Sequence, residues 1–348
     1  MDPLAELMQA VKARGRGAAI GYVCSYTPEE LLEASGESYT RVIGSNSTEL
    51  ADSAIPTFTC RFARRCLQQM LEGELKRVVG AYTCDTVRGV ASIASWRGVE
   101  SCFINIPRDI SKKRSLEYLV RELKKLAEFL GAAEGGVEEA IEVCEEDRRA
   151  VMRLAELRAV EEPPVTGVEA YLVELSGMLM PKRRHLELVQ ELLDTLPSRS
   201  GATGARVMLI GSTLTNIKLL EAIEAEGCVV VYDDLCTGCR FYWGLAPASG
   251  KPLERIAARY VSRAKCPCVT PFSERAEYIT EQARRFRVQG AIFLLQKFCD
   301  PHLFEYPALR ERLESIGVET MLFETEEGEA EVEKLRIAVG GFIERLGG

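Results

Sequence analysis

"RVVGAYTCDTVRGVASIASWRGVESCFINIP", residues 77 to 107, decides the fold. Its first run, 77 to 83, is short, apolar and rich in valine, the pattern of a buried strand. Residues 85 to 96 carry apolar side chains at helical spacing, and 101 to 107 return to a strand pattern. Such alternation is the signature of a parallel sheet covered by helices.

The same alternation extends in both directions. In the first half the expected strands are 18 to 24, 41 to 44, 77 to 83 and 101 to 107, with helices near 28 to 36, 60 to 73 and 85 to 96. From about 113 to 160 the chain reads as charged helix throughout. "VEEPPVTG" (160 to 167) marks a boundary, because paired prolines end a helix and the following Thr-Gly supplies a turn. After two more helices, "LPSRSGATGA" (196 to 205) is a loop. Strands are then expected at 206 to 212, 228 to 234, 290 to 298 and 317 to 324, with helices near 215 to 226, 252 to 264, 273 to 287, 306 to 316 and 329 to 346. This predicts two doubly wound α/β domains, Rossmann-like or flavodoxin-like, with additional helices: residues 1–163 and residues 164–348.

A chain of 348 residues is long enough for two such cores. Its net charge of −8 makes nucleic acid and anionic membranes poor partners. No apolar run approaches the roughly 20 residues that cross a bilayer, and the first 17 residues lack the apolar centre of a secretion signal. A cytoplasmic protein is expected. Twelve cysteines are many for that compartment, where structural disulfides do not persist, so burial, redox chemistry or metal binding must account for them. With only two histidines, His185 and His302, any metal held should be thiophilic.

Open parallel sheets bind ligands beyond the carboxyl ends of their strands. Cys24 closes the first expected strand, and Cys84, Cys236 and Cys299 follow three others. Cys60 begins a helix, where amide dipoles favour a thiolate. Cys66, Cys102, Cys144 and Cys228 lie within apolar patterns and read as core residues. Cys60, Cys84 and Cys299 are each followed by polar or charged residues near an element's end, which points to a metal site in the interdomain cleft.

"CTGC" (236 to 239) lacks a second pair at zinc-ribbon spacing, since "CPC" (266 to 268) is too tight and contains a rigid proline. It reads instead as a cleft loop turning at Gly238, with Asp233, Asp234 and Arg240 adding polar contacts. "GRGAAIG" precedes a strand and is one residue too long for a dinucleotide fingerprint, and "GLAPASGKP" lacks the Ser/Thr of a phosphate loop. Any ATP-driven step therefore belongs to another protein.

"GYVCSYTPEELLEASG", "YTCDTVRG", "VVYDDLCTGCRFYWG", "CPCVTP" and "QKFCDPHLFEYPALRERLESIGVETMLFE" together resemble the D-component family of 2-hydroxyacyl-CoA dehydratases, which includes related subunits of ATP-dependent benzoyl-CoA reductases. The resemblance runs in order over nearly the whole chain. It implies a 4Fe-4S cluster in the interdomain cleft, held by Cys60 and Cys84 from the first domain and Cys299 from the second, with one iron left open. It further implies a homologous second subunit, in a hetero- or homodimer, and a separate ATP-hydrolysing iron–sulfur activator. An electron would pass from that activator through the cluster to an acyl-CoA thioester, forming a ketyl radical anion. In such an anaerobic lyase or oxidoreductase, Ser25 is a candidate hydrogen-bond donor to the open-site ligand and Glu49 a candidate acid/base. Their plainer readings are a helix N-cap and a solvated carboxylate.

Cys236, Cys239, Cys266 and Cys268 exceed what one three-thiolate cubane needs. A branch of the family carries a double cubane, two 4Fe-4S units joined by a sulfide (8Fe-9S), and reduces small molecules. On that alternative Cys236, Cys239 and Cys268 would hold the second unit. A noncatalytic partner subunit and a structural-zinc protein are the remaining readings.

Overall fold

The computed structural model describes residues 2–263 and 265–347. Eight strands form two four-stranded sheets, every pair parallel. The first holds β1 (Ile20–Val23), β2 (Tyr39–Arg41), β3 (Arg77–Tyr82) and β4 (Ser101–Asn105) in the order β2-β1-β3-β4. The second holds β5 (Ala205–Gly211), β6 (Cys228–Asp234), β7 (Gly290–Gln296) and β8 (Glu319–Thr325) in the equivalent order β6-β5-β7-β8. This is the strand order of flavodoxin-like sheets, with the switch point between the first and third strands of each unit. The α/β architecture expected from the alternation is therefore present in both halves.

Each expected strand lies within or beside an observed one. The largest offset is β2, which ends at Arg41, where residues 41 to 44 are expected. Val42 and Ile43 are wholly buried and continue past the ladder, with Val42 N–H still bonded to the Tyr22 carbonyl at 2.9 Å. The charged middle segment is two helices, Lys113–Leu130 and Glu134–Glu156, separated at Gly131 with φ +67°. A first helix, Pro3–Ala13, lies outside the expected elements; it is capped by Asp2, has proline in its first turn, and packs on helices Gly167–Ser176 and Lys182–Thr195. The expected Thr-Gly turn is instead a helix start, where Thr166 and Glu169 form a reciprocal capping box.

Buried ion pairs join the layers. Arg148, on helix Glu134–Glu156, lies 2.6 Å from Glu29, 2.7 Å from Glu30 and 2.8 Å from Glu145. Lys182 lies 2.7 Å from Glu29 and 3.2 Å from Asp147, and His185 Nδ1 meets Asp147 on its other oxygen. His185 is thus occupied structurally. These contacts hold helix Glu29–Ala34, and with it the loop after β1, against the middle helices.

Gly211 ends β5 where an added Cβ would stand 2.3 Å from the Leu294 carbonyl oxygen of β7. Gly211→Ala is expected to destabilise the protein by about 1–3 kcal/mol through overpacking. Gly89→Ala, on helix Asp85–Trp96 with open space around it, should instead stabilise by about 0.4–1 kcal/mol. Urea unfolding of both variants measures the contrast.

Candidate functional site

Parallel pairing sends all four strands of a sheet out on one side. The carboxyl edges of the two sheets border a single cavity of about 710 Å³, its mouth included. Its wall takes Cys24 and Ser25 from the end of β1, Thr83 and Cys84 from β3, Ser212 and Thr213 from β5, Cys236 from beyond β6, and Phe298 and Cys299 from β7. Cys60, Cys266 and Cys268 complete a set of seven thiols, out of twelve in the chain, on this one surface. All twelve cysteines are free. Cys66, Cys102, Cys144 and Cys228, read as core residues, are not on this wall.

The three cysteines singled out by the sequence share a local geometry. Cys60, Cys84 and Cys299 are the N-cap residues of helices Arg61–Leu71, Asp85–Trp96 and Asp300–Glu314. At Cys84 the sulfur also accepts from a first-turn amide of its own helix, that of Val87, at 3.4 Å. Helix N-termini concentrate unpaired amides and the positive end of the dipole, an environment that draws negative charge toward each sulfur but is outweighed at Cys84 and Cys299. The Cys60 and Cys299 thiols are hydrogen-bonded neighbours although their positions are far apart in sequence. That bond is the main cause lowering the Cys60 pKa and raising that of Cys299. Burial pushes Cys84 up to about 12.

Of the other four thiols, Cys236 and Cys266 lie beside a buried guanidinium, that of Arg240. The Cys266 thiol is lowered to about 5, first by a hydrogen bond from Cys268 and then, after burial opposes it, by the Arg240 charge. Arg240 Nη1 lies 3.6 Å from Cys236 Sγ. Arg240 also pairs with Asp234 and donates to the Gly211 and Asp234 carbonyls, while Asp234 meets Arg275 at 2.7 Å. Arg275 continues to Glu305, which lies 2.9 Å from His302 on the cavity wall. Burial pulls the His302 pKa down, but Cys236 and Glu305 outweigh it and the net shift is upward. Cys24 Sγ is 3.2 Å from the Thr83 hydroxyl. Two non-glycine residues at strand ends, Cys24 (φ 77°) and Phe298 (φ 61°), hold left-handed backbone, strain of on the order of 1–3 kcal/mol each that the surrounding packing sustains.

Three sequence candidates occupy different surroundings. Ser25 is on the wall, yet its hydroxyl donates to the Cys236 carbonyl at 2.6 Å, tying the two sheets together; Pro28, not Ser25, caps the next helix. A serine has one O–H to donate, so any ligand of that hydroxyl must displace this bond. Glu49 opens the short helix Glu49–Asp52, faces solvent and is absent from the cavity wall, because that turn directs it outward. Cys239, grouped with Cys236 and Cys268, points the other way: it is 1% exposed, donates to Glu174 at 3.1 Å and accepts from Arg158 at 3.0 Å. Glu174, Asp233 and Cys239 are spaced like metal ligands, but the Arg158 guanidinium already supplies their cation, at 2.9 Å from Glu174. Cys266 and Cys24 thus stand on the cavity where Cys239 was expected.

Known proteins share this chain's sequence over nearly its full length. The family described as "2-hydroxyglutaryl-CoA dehydratase, D-component" matches residues 24–346. The (R)-phenyllactyl-CoA dehydratase beta subunit of Clostridium sporogenes is 29% identical, over 99% of this chain and 96% of its own. One of the benzoyl-CoA reductase subunits of Thauera aromatica is 23% identical over 94% and 90%. The beta subunit of (R)-2-hydroxyglutaryl-CoA dehydratase of Acidaminococcus fermentans is 25% identical over 90% of each chain. Among the described residues no helix is long and apolar enough to cross a membrane.

Arg240→Leu removes one partner of a buried network and leaves two carbonyls without their donor. It is expected to cost about 3–5 kcal/mol in urea unfolding, whereas Glu49→Ala should stay within about 0.5 kcal/mol of wild type.

Proposed function

The chain belongs to the 2-hydroxyglutaryl-CoA dehydratase D-component family, and from that premise we propose that it is the iron–sulfur subunit of a 2-hydroxyacyl-CoA dehydratase or an ATP-dependent aryl-CoA reductase. The relatives it resembles are named as dehydratases or a reductase, each as a subunit, which supports an enzyme of this type working beside a homologous second subunit. An ATP-hydrolysing iron–sulfur activator as electron source, an acyl-CoA thioester as acceptor and a cytoplasmic setting complete the reading.

One observation carries it: thiols from both sheets' carboxyl edges line one cavity, three of them at helix N-termini. The donor set fits iron and sulfide, since soft thiolates select iron–sulfur clusters, while the cavity wall offers only one imidazole and no buried carboxylate among the described residues. Cys60 and Cys84 from residues 1–163, and Cys299 from 164–348, would hold a 4Fe-4S cluster. Such a cluster supplies one-electron chemistry that no side chain here provides. The chain's own contribution is to surround that site with protein and to set the Val87 amide at the Cys84 sulfur, since burial and hydrogen bonds to sulfur both tune a cluster's potential. Ser25 fixes the Cys236 loop across the cleft.

A second reading has its own support. Four thiols remain after Cys60, Cys84 and Cys299 are assigned: Cys24, Cys236, Cys266 and Cys268 all line the same cavity. Two cubanes joined through a sulfide, each keeping three thiolates, could be held by this set, as in a double-cubane reductase of small molecules.

Anaerobic purification followed by iron and acid-labile sulfide analysis separates the readings. About four of each per chain supports one cubane, and near twice that supports two. Zinc without iron would overturn both. Cys84→Ala and Cys299→Ala should lower the iron content, and Cys239→Ala should leave it unchanged.

A further inference from the structure

Seven arginines in this fold are almost wholly buried: Arg41, Arg148, Arg158, Arg240, Arg259, Arg263 and Arg275. Six have protein partners. Arg148, Arg158, Arg240 and Arg275 meet carboxylates, and Arg259 and Arg263 donate to backbone carbonyls. Arg41 differs. Its Nε and Nη1 are buried without a hydrogen-bond partner, and among the described residues no carboxylate lies within ion-pair distance of it. Its guanidinium sits 5.4 Å from the Tyr22 ring centre, on the wall of the thiol-lined cavity.

An arginine cannot escape burial by losing its proton, so an unmatched guanidinium in a dry site is strongly unfavourable until an anion joins it. The acid that shares this wall, Asp300, is exposed to solvent at the start of its helix. The neighbours able to carry negative charge are neutral acids: Arg41 lowers the pKa of the Tyr22 phenol and of the Cys24 and Cys66 thiols, although burial dominates and all three remain raised. Three helix N-termini add positive potential on the same cavity. The wall is built for an occupant more negative than neutral thiols.

Resting on the iron–sulfur reading, we infer that Arg41 is the fixed counter-charge of an anionic metal–sulfide core bound in this cavity. It acts as a positioning residue in two ways. It makes the empty site less stable than the filled one, and it favours the form of the core that holds one more electron. That electron adds one negative charge to the core, and Arg41 keeps its proton throughout.

The test compares wild type, Arg41→Met and Arg41→Lys, each purified anaerobically and each also stripped of metal with an iron chelator. Without metal, Arg41→Met should melt at a higher temperature than wild type. With metal, it should melt at a lower temperature or retain less iron, and its midpoint potential in a mediated redox titration should be more negative. Arg41→Lys should return the potential toward wild type. If the methionine variant does not fold, Arg41→Gln takes its place with the same expectations. The inference is overturned if loss of the charge shifts melting by the same sign and size in both forms, as it would were solvent the only partner. Equal iron content with an unchanged potential also overturns it. Wild type that binds no iron would defeat the iron–sulfur reading itself, so the two failures are distinguishable.

Discussion

Every strand in both sheets runs the same way as its neighbours, and that single constraint organises the molecule. Parallel pairing forces each connection to cross over through a helix and return, so the loops leaving the strands gather on one edge. With two sheets whose exit edges border the same space, helices that begin there direct their first-turn amides inward. Cysteines stand at the N-caps of three such helices, Cys60, Cys84 and Cys299, and at Cys84 the sulfur takes a first-turn amide. The chemistry of the cavity is in this sense a by-product of strand direction, refined by the choice of cap residue.

Two sets of buried charges keep this arrangement in place. Arg148, Lys182 and Asp147 fasten the helix after β1 to the middle helices. Arg240, Asp234, Arg275 and Glu305 run behind Cys236 and His302. Between the sheets, Arg65 reaches Thr215 at 3.0 Å and Glu327 at 3.2 Å, and Tyr260 donates to the Thr27 carbonyl. Buried ion pairs contribute little net stability against their desolvation, but losing one partner is severe, so they act mainly to fix one register of packing. That use suits a site whose parts come from distant segments.

Much of this is legible in the sequence because the sheets are buried on both faces. Runs such as "CVVVYDD" and "AIFLLQ" leave no doubt of a strand, and a cysteine just beyond such a run falls at the exit edge. What the sequence does not disclose is equally physical. Asp300 and Pro301 announce a helix start at Cys299, but Pro307 suggests a later one; the helix runs through it. Cys236 and Cys239 look like a ligand pair by spacing, yet the turn at Gly238 sends one thiol to the cavity and the other into the Arg158 cluster. Cys266 and Cys268, too close for a zinc ribbon, both reach the cavity. Arg41 carries no sequence signal at all, since an arginine at a strand end is ordinarily a solvent-facing residue.

The position of Cys299 has a consequence for how the protein matures. Domains emerge from the ribosome in order, amino terminus first. Cys60 and Cys84 are made early, but the thiol that hydrogen-bonds with Cys60 arrives only after most of the chain has been synthesised. Helix Pro3–Ala13 likewise waits for its packing partners at Gly167–Ser176 and Lys182–Thr195. The wall of the cavity is therefore completed only near the end of translation, in an essentially finished chain.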